Sequence, residues 1–296
     1  MNYIHRMTLS QSHLEAFLQI AQLGSFTKAA DRLGLTQSAL SHRIRNLEED
    51  LEATVFLRVG TKIKLTEAGT RLLQYCQVVQ QAEEEFVAEI KPKRRASAGL
   101  AGRLRVGGVS SIMRSLALPV LGELIRKNPE VRLDFLVKEA GELPALLGNA
   151  QVDFVLSTAP FQASGVEEEL LGYEENVLVQ STRKNAIRDV YLDHDAEDPT
   201  TFEFLKLQAT KHGTIARSFL EDIYGLIDAV TEGLGKAVVP VHMIADAKGV
   251  EVVAGLKPLL VPVYLYHFRQ PYYTQLHQLA HTKLRADLSA KLRAKK

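Results

Sequence analysis

An α/β body behind a small helical head with a β-hairpin is the fold class that the sequence predicts. Three observations predict it. Alanines and a polar helix start are concentrated over residues 26–51, FTKAADRLGLTQSALSHRIRNLEEDL. A break rich in proline, charge and small residues, Lys91-Pro92-Lys93-Arg94-Arg95-Ala-Ser-Ala-Gly, divides the chain. Beyond it, strand-like and helix-like stretches alternate, which predicts a parallel sheet with helices on its faces.

The bulk composition agrees. The chain has 296 residues, 46% hydrophobic and 24% charged, ordinary for a globular protein and enough for two domains. The single cysteine excludes an intrachain disulfide and fits a reducing, cytoplasmic setting. No apolar run reaches signal-peptide or bilayer length, so no membrane association is expected. The net charge of +1 hides an asymmetry. Residues 1–95 carry 13 Lys and Arg against 11 Asp and Glu, residues 96–282 carry 17 against 23, and the tail carries 6 against 1. A weakly basic head precedes an acidic body. Net charge of this kind bears on association and not on fold.

In order along the chain, Ser12-His-Leu-Glu15 has the capping-box pattern, and Phe17, Leu18 and Ala21 follow at helical spacing. Gly24 ends this helix. Ser25 caps a second helix with Ala29, Ala30 and Leu33 inward, and Gly34 suits the left-handed residue that stops it. Thr36 caps a third with Leu40, Ile44 and Leu47 inward. Short alternating runs around Val59-Gly60-Thr61 predict a hairpin wing. Thr66 opens a long helix to about Ile90, whose Leu72, Tyr75, Val79, Ala82 and Phe86 form a heptad-like stripe. From Arg103 the strands RLRVGGV, VRLDFLVKE and VDFVLST alternate with helices, and looser repeats of the same unit follow. HMIADA is expected to be helical, VPVYLYHF returns as a strand, and residues 272–294 form a basic helix. The expected division is 7–65 head, 66–90 linker helix, 91–102 hinge and 103–296 body. Within the body, one lobe comprises 103–175 and 264–296, and the other 176–263.

Residues 26–51 have the spacing of a helix-turn-helix, with Ala30 at the helix contact, Gly34 at the turn and Leu40 anchoring the second helix. Such a second helix enters the DNA major groove by its N-terminal end, where free N–H groups and the positive dipole end favour phosphate. Gln37, Ser38, Ser41 and His42 face outward there, with Arg45 one turn on. Gln reads adenine bidentately and Ser pairs with several base edges. Arg58, Lys62 and Lys64 on the wing suit backbone phosphates, which add affinity without sequence information. Thr27, at the start of the preceding helix, is grouped with them.

Ser-Phe-Thr-Lys-Ala-Ala-Asp-Arg-Leu, Thr-Gln-Ser-Ala-Leu-Ser, Ile-Arg-Asn-Leu-Glu-Glu-Asp-Leu, Phe-Leu-Arg and Leu-Thr-Glu-Ala-Gly together resemble the N-terminal signature of LysR-type transcriptional regulators. The body resembles that family in architecture and in Gly-Leu-Gly-Lys-Ala-Val-Val-Pro. Leu192-Asp193-His194-Asp195 and Tyr264-Leu-Tyr-His-Phe-Arg269 resemble the branch responding to lysine and arginine. The resemblance implies a winged helix-turn-helix head, a linker helix that makes a homodimer and further a tetramer, and a two-lobed, periplasmic-binding-protein-like effector domain. It implies binding to double-stranded promoter DNA, control by a small effector such as a basic amino acid, and RNA polymerase as a partner. It places Thr36, Gln37, Ser38, Ser41 and His42 at recognition-helix contacts, with His42 departing from the arginine or glutamine usual there. An effector-independent architectural or replication-linked DNA-binding protein shares the same head and stays open.

In the body, Ser110 and Ser111 end one strand and open a helix, a position for an anion or a plain serine cap. Ser157 and Thr158 end another strand and follow the same logic. His194, Asp195, Glu221 and Asp222 are candidates to meet a cationic effector, or else belong to a polar loop and a helix start. Adjacent Asp193, His194 and Asp195 cannot easily share one coordination sphere, so no metal site is expected. Cys76 reads as a small apolar residue near a dimer seam. No nucleophile elbow, HExxH, phosphate loop or glycine fingerprint occurs, so neither an enzyme nor a cofactor is expected. The tail reads as a solvated cationic helix face.

Overall fold

The computed structural model describes residues 9–60, 62–90, 100–163, 165–208, 213–270 and 273–293, except the side chains of 59, 62, 85 and 88–90. The head consists of α1 (Gln11–Leu23), α2 (Phe26–Leu33) and α3 (Gln37–Asp50), followed by the antiparallel hairpin β1 (Phe56–Val59) and β2 (Lys62–Leu65). Local chemistry sets each helix end. Gly24 and Gly34 adopt φ of 62° and 65°, left-handed values natural to glycine, and return their N–H groups to Ile20 and Ala30 carbonyls. Ser25 Oγ accepts the Lys28 N–H and Thr36 Oγ1 accepts the Ala39 N–H. The expected capping box at Ser12 does not form. The α1 helix begins two residues earlier, Ser10 is its cap position without a side-chain cap, and Ser12 bonds to the Ser10 hydroxyl. Ala16, Phe17, Ile20, Ala29, Ala30, Leu40 and Leu47 close the head core.

The helix α4 (Glu67–Ile90) follows the hairpin. Its first turn explains the run Leu-Thr-Glu-Ala-Gly. Thr66 Oγ1 donates to the Thr54 carbonyl and accepts the Gly69 N–H. Gly69 sits so close to the chain that an added Cβ would lie 2.1 Å from the Val55 carbonyl oxygen. Gly69→Ala is therefore expected to destabilise the head by about 1–3 kcal/mol or more through overpacking, read as a lowered urea midpoint. An unchanged midpoint would refute this contact. The α4 stripe divides. Leu72, with Leu73 and Cys76, is buried in the head core, whereas Tyr75 and Phe86 are exposed. Cys76 therefore belongs to the core between linker and head, not to a seam, and burial pushes its thiol up to about 12.

Among the described residues the body forms one nine-stranded sheet. Strands β3 (Ala101–Gly108), β4 (Glu130–Val137) and β5 (Phe154–Ser157) are parallel, as expected. So are β7 (Val190–Asp193), β8 (Ala216–Phe219) and β9 (Lys236–Pro240). The sheet as a whole is mixed, because two long strands run antiparallel through its middle. These are β6 (Val166–Ser181) and β11 (Leu259–Phe268), paired with each other. They lie between the two parallel groups, and their pairing shifts register between Val263 and Tyr264. The short β10 (Val250–Val252) pairs with the end of β6. Because β3 begins at Ala101, the expected hinge loses residues 101 and 102 to the sheet, and its 91–99 segment lies outside the described residues.

The helices are α5 (Ser110–Ile112), which runs through a π turn over Met113–Ala117 into α6 (Leu118–Lys127), then α7 (Leu143–Gly148), α8 (Thr200–Lys206), α9 (Ile223–Glu232) and α10 (Gln275–Lys291). HMIADA forms only a 3-10 turn at Val241–Met243. The α10 helix packs Leu276, Ala280, Leu284 and Leu288 into the main body core. The body also meets the head. Ala150, held at φ 57°, enters the head core, and Gln151 Nε2 donates to the Gln22 carbonyl at 3.1 Å.

Candidate DNA-reading helix and interlobe cleft

The start of α3 is an outward-facing polar edge on a rigid base. Leu40, Ile44 and Leu47 anchor the helix inside, and Gln37, Ser38, His42 and Arg45 are exposed, with Ser41 half-buried. Thr36 serves the cap, and its hydroxyl also lies 3.0 Å from Ser38 Oγ. His42 Nδ1 lies 3.3 Å from the Asn46 amide, one turn along. Thr27 is exposed on α2. On the wing, Arg58 lays its guanidinium over the Phe26 ring at 5.6 Å, which orients a cation beside α2, and Lys64 is exposed. The Lys62 side chain lies outside the described residues.

In the body, α5 and its π turn face the start of α9. Arg114 stacks on the Tyr224 ring at 3.9 Å, joining the two walls. Ser115 Oγ donates to the Ser111 carbonyl at 2.5 Å and lies 2.6 Å from His242 Nδ1. His242 Nε2 lies 3.1 Å from Glu174 on β6. This chain ties the π turn to the long strand and to the 3-10 turn after β9. After β7, burial opposes a charge on His194, but Asp195, 3.1 Å from its Nδ1, and the Glu139 and Asp198 carboxylates raise its pKa overall.

The expected effector residues divide. Ser110 and Ser111 open α5, yet neither is a cap: Val109 holds that position without a side-chain bond, and Ser111 is buried. Ser157 is fully buried and its hydroxyl closes on the N–H and carbonyl of Ala159. Thr158 beside it is half-buried. Asp195 accepts the Glu197 and Asp198 N–H groups, at 2.7 and 2.8 Å, so it holds its own loop. Asp222 accepts the Tyr224 N–H as the cap of α9, and Glu221 is exposed. Asp193 is buried against Thr201 and Arg217, a structural pairing. Ser115, Glu174 and His242 were missed by sequence reasoning. No spacing signal links residues 68 and 127 positions apart.

Residues 11–70 match "Bacterial regulatory helix-turn-helix protein, lysR family", and residues 97–286 match "LysR substrate binding domain". The chain belongs to the LysR family. Among its relatives, HTH-type transcriptional regulator HdfR of Yersinia enterocolitica is 31% identical over 160 residues, covering 54% of this chain and 53% of the relative. HdfR of Yersinia pestis is 27% identical over 199 residues, covering 66% and 65%. The chain thus spans about half to two thirds of the length of these relatives. Among solved structures, ArgP of Mycobacterium tuberculosis superposes with TM-score 0.72 at 21% identity, over 97% of this chain and 100% of that one. Full-length LysG of Corynebacterium glutamicum with bound effector Arg gives 0.70 at 19% identity, over 96% and 99%. At such identities the likeness is one of fold, and it extends through head, linker helix and body of this LysR-family chain.

Proposed function

We propose that this LysR-family protein is a sequence-specific, non-enzymatic regulator of transcription, controlled by a small effector in the cleft between its two lobes. The observation that carries the reading is the α3 start: four exposed polar side chains, Gln37, Ser38, His42 and Arg45, on a helix whose other face is core. Arg58 and Lys64 flank it with exposed positive charge. That combination suits base edges from the helix and phosphates from the wing. The lobes of this reading are 103–175 with 264–296, and 176–263. The protein acts in the cytoplasm on double-stranded promoter DNA and meets RNA polymerase there. Exposed Tyr75, Phe86 and Val87 on α4 support a homodimer through the linker helix, with a tetramer as the further assembly.

The effector we favour is a basic amino acid. Glu174, which lies 3.1 Å from His242 beside the π turn, is the carboxylate we assign to this ligand, with Ser110, Ser111, Thr158 and Glu221 as further polar groups. The LysG structure of similar fold holds Arg as its effector. Thermal unfolding of the full chain with arginine, lysine and a panel of organic acids tests this. A ligand confined to the native state adds RT ln(1 + [L]/Kd), about 2.7 kcal/mol at a hundredfold excess over Kd. Stabilisation by arginine or lysine is expected. Stabilisation by an acid alone would discard the basic effector. Selective DNA binding with no response to any compound would favour the effector-independent reading.

A further inference from the structure

We propose that Glu169, His267 and His281 bind a divalent transition-metal ion of the zinc class, a site separate from both the DNA-reading helix and the cleft. Three elements converge to build it. In the antiparallel pairing of β6 with β11, Glu167 stands opposite His267 and Glu169 opposite Leu265. Strand periodicity then puts Glu167, Glu169 and His267 on one face. The α10 helix crosses that face and brings His281 to it. His281 Nε2 lies 2.6 Å and His267 Nε2 3.1 Å from the same oxygen, Glu169 Oε1. The three ligand atoms all fall within 4.8 Å of one another.

Proton accounting at His267 points to a cation at this place. Tyr273 has one hydroxyl hydrogen, and its oxygen is 2.5 Å from the Phe268 carbonyl, which only accepts. That hydrogen is therefore committed there. His267 Nδ1 faces the Tyr273 oxygen at 3.0 Å and the Phe268 carbonyl at 3.1 Å, so both neighbours require Nδ1 to be the donor. A neutral His267 then carries a bare lone pair on Nε2, aimed at a carboxylate oxygen. Two lone pairs face each other unless a proton or a metal ion lies between them. A ring whose remote N–H is held by a carbonyl is the usual outer arrangement of a metal-binding histidine.

The surrounding charges have the same form. Arg285 Nε is 3.3 Å from Glu169 Oε2, and Arg269 Nε is 2.6 Å from Glu167 Oε1. Each arginine holds one oxygen of its carboxylate and leaves the other toward the histidines: Glu169 Oε1, and Glu167 Oε2 at 3.8 Å from His267 Nε2. Phe154 packs its ring 6.1 Å from both imidazoles and gives the site an apolar wall. Two imidazoles and a carboxylate suit zinc and its neighbours, with Glu167 or water in the remaining position. His281 is one helical turn from His277, which lies 3.2 Å from Asp153, itself bonded by Gln81 of α4. An ion here therefore pins α10 to the sheet next to the contact with the linker helix.

The test uses tag-free, chelator-treated full-length protein, titrated with Zn2+ in competition with a chromophoric chelator and with Co2+ by visible absorption. One ion per chain and Co2+ d–d bands are expected. Glu169→Gln and His281→Ala should each weaken binding at least about tenfold, and Tyr273→Phe, which only orients His267, by about tenfold or less. His13→Gln in the head should leave it unchanged. Circular dichroism checks that each variant is folded, and the half-exposed His281 is the position most tolerant of change. Absence of saturable binding at micromolar metal would overturn the proposal. So would binding that survives in both the Glu169 and His281 variants, which would mark scattered surface histidines.

Discussion

Gln37→Ala is expected to cost about 1–3 kcal/mol of affinity for the preferred DNA site, because a bidentate base contact is worth about that much. The loss corresponds to roughly five- to 150-fold in Kd. Affinity for scrambled DNA should hardly change, since Gln37 is uncharged and exposed at the helix start. Lys64→Ala should behave in the opposite way. It should weaken all sequences alike and lower the slope of log K against log salt by about one. Fluorescence anisotropy with a selected and a scrambled duplex at three salt concentrations separates the two. The recognition role of α3 is wrong if Gln37→Ala weakens both duplexes equally, or if Lys64→Ala changes the sequence preference.

Asp153→Asn is expected to destabilise the chain by about 3–5 kcal/mol, the usual consequence of breaking a buried ion pair. Asp153 accepts the Arg105 N–H at 2.8 Å and Arg105 Nη2 at 2.6 Å, and Gln81 reaches it from α4 at 3.2 Å. Both Asp153 and most of the Arg105 side chain are removed from water, so the substitution leaves a guanidinium without its counter-charge. Burial pushes the Asp153 carboxyl up, but His277 and Arg105 outweigh it and hold the group down at about 2. An unfolded aspartate titrates at about 3.9. The folded chain therefore binds fewer protons than the unfolded chain between these values. The stabilisation is complete above about pH 4 and is lost as pH falls toward about 2. Urea unfolding across the acid range should show this limb in the natural chain and lose it in Asp153→Asn. A change below about 1 kcal/mol would mean that the buried pair contributes no more than an exposed one.

The two predictions rest on residues of different legibility. Gln37, Ser38, Ser41, His42 and Arg45 lie within nine consecutive positions of one helix, so helical periodicity alone turns them to one side of Leu40 and Ile44. The caps at Ser25 and Thr36 and the turns at Gly24 and Gly34 were legible for the same reason: each involves atoms three to five residues apart. The Ser12 pattern misled because Ser10, two residues earlier, had an equal claim to the helix start. The strands β3, β4 and β5 were legible as parallel, but the antiparallel centre was not. Which neighbour β6 and β11 choose depends on pairing across about a hundred residues.

Acidic and hydroxyl residues in the body show where local reading stops. Asp195, Asp222 and Ser157 had the chemistry of ligand contacts, yet each spends hydrogen bonds on a turn or cap of its own segment. The groups that join the cleft, Ser115, His242 and Glu174, and those that converge at Glu169 come from strands and helices far apart in the chain. From the sequence alone came the division into head, linker helix and α/β body, the helix-turn-helix and its outward polar edge, because these depend on periodicity and on backbone caps. Only the tertiary structure decided the mixed sheet, the buried Asp153–Arg105 pair and its link to Gln81 of the linker helix, the network of Ser115, His242 and Glu174, and the histidine cluster. Each depends on elements far apart in the chain: β3 beside β5 brings Arg105 to Asp153, β6 beside β11 and the docking of α10 bring two histidines to Glu169, and no spacing along the chain encodes it.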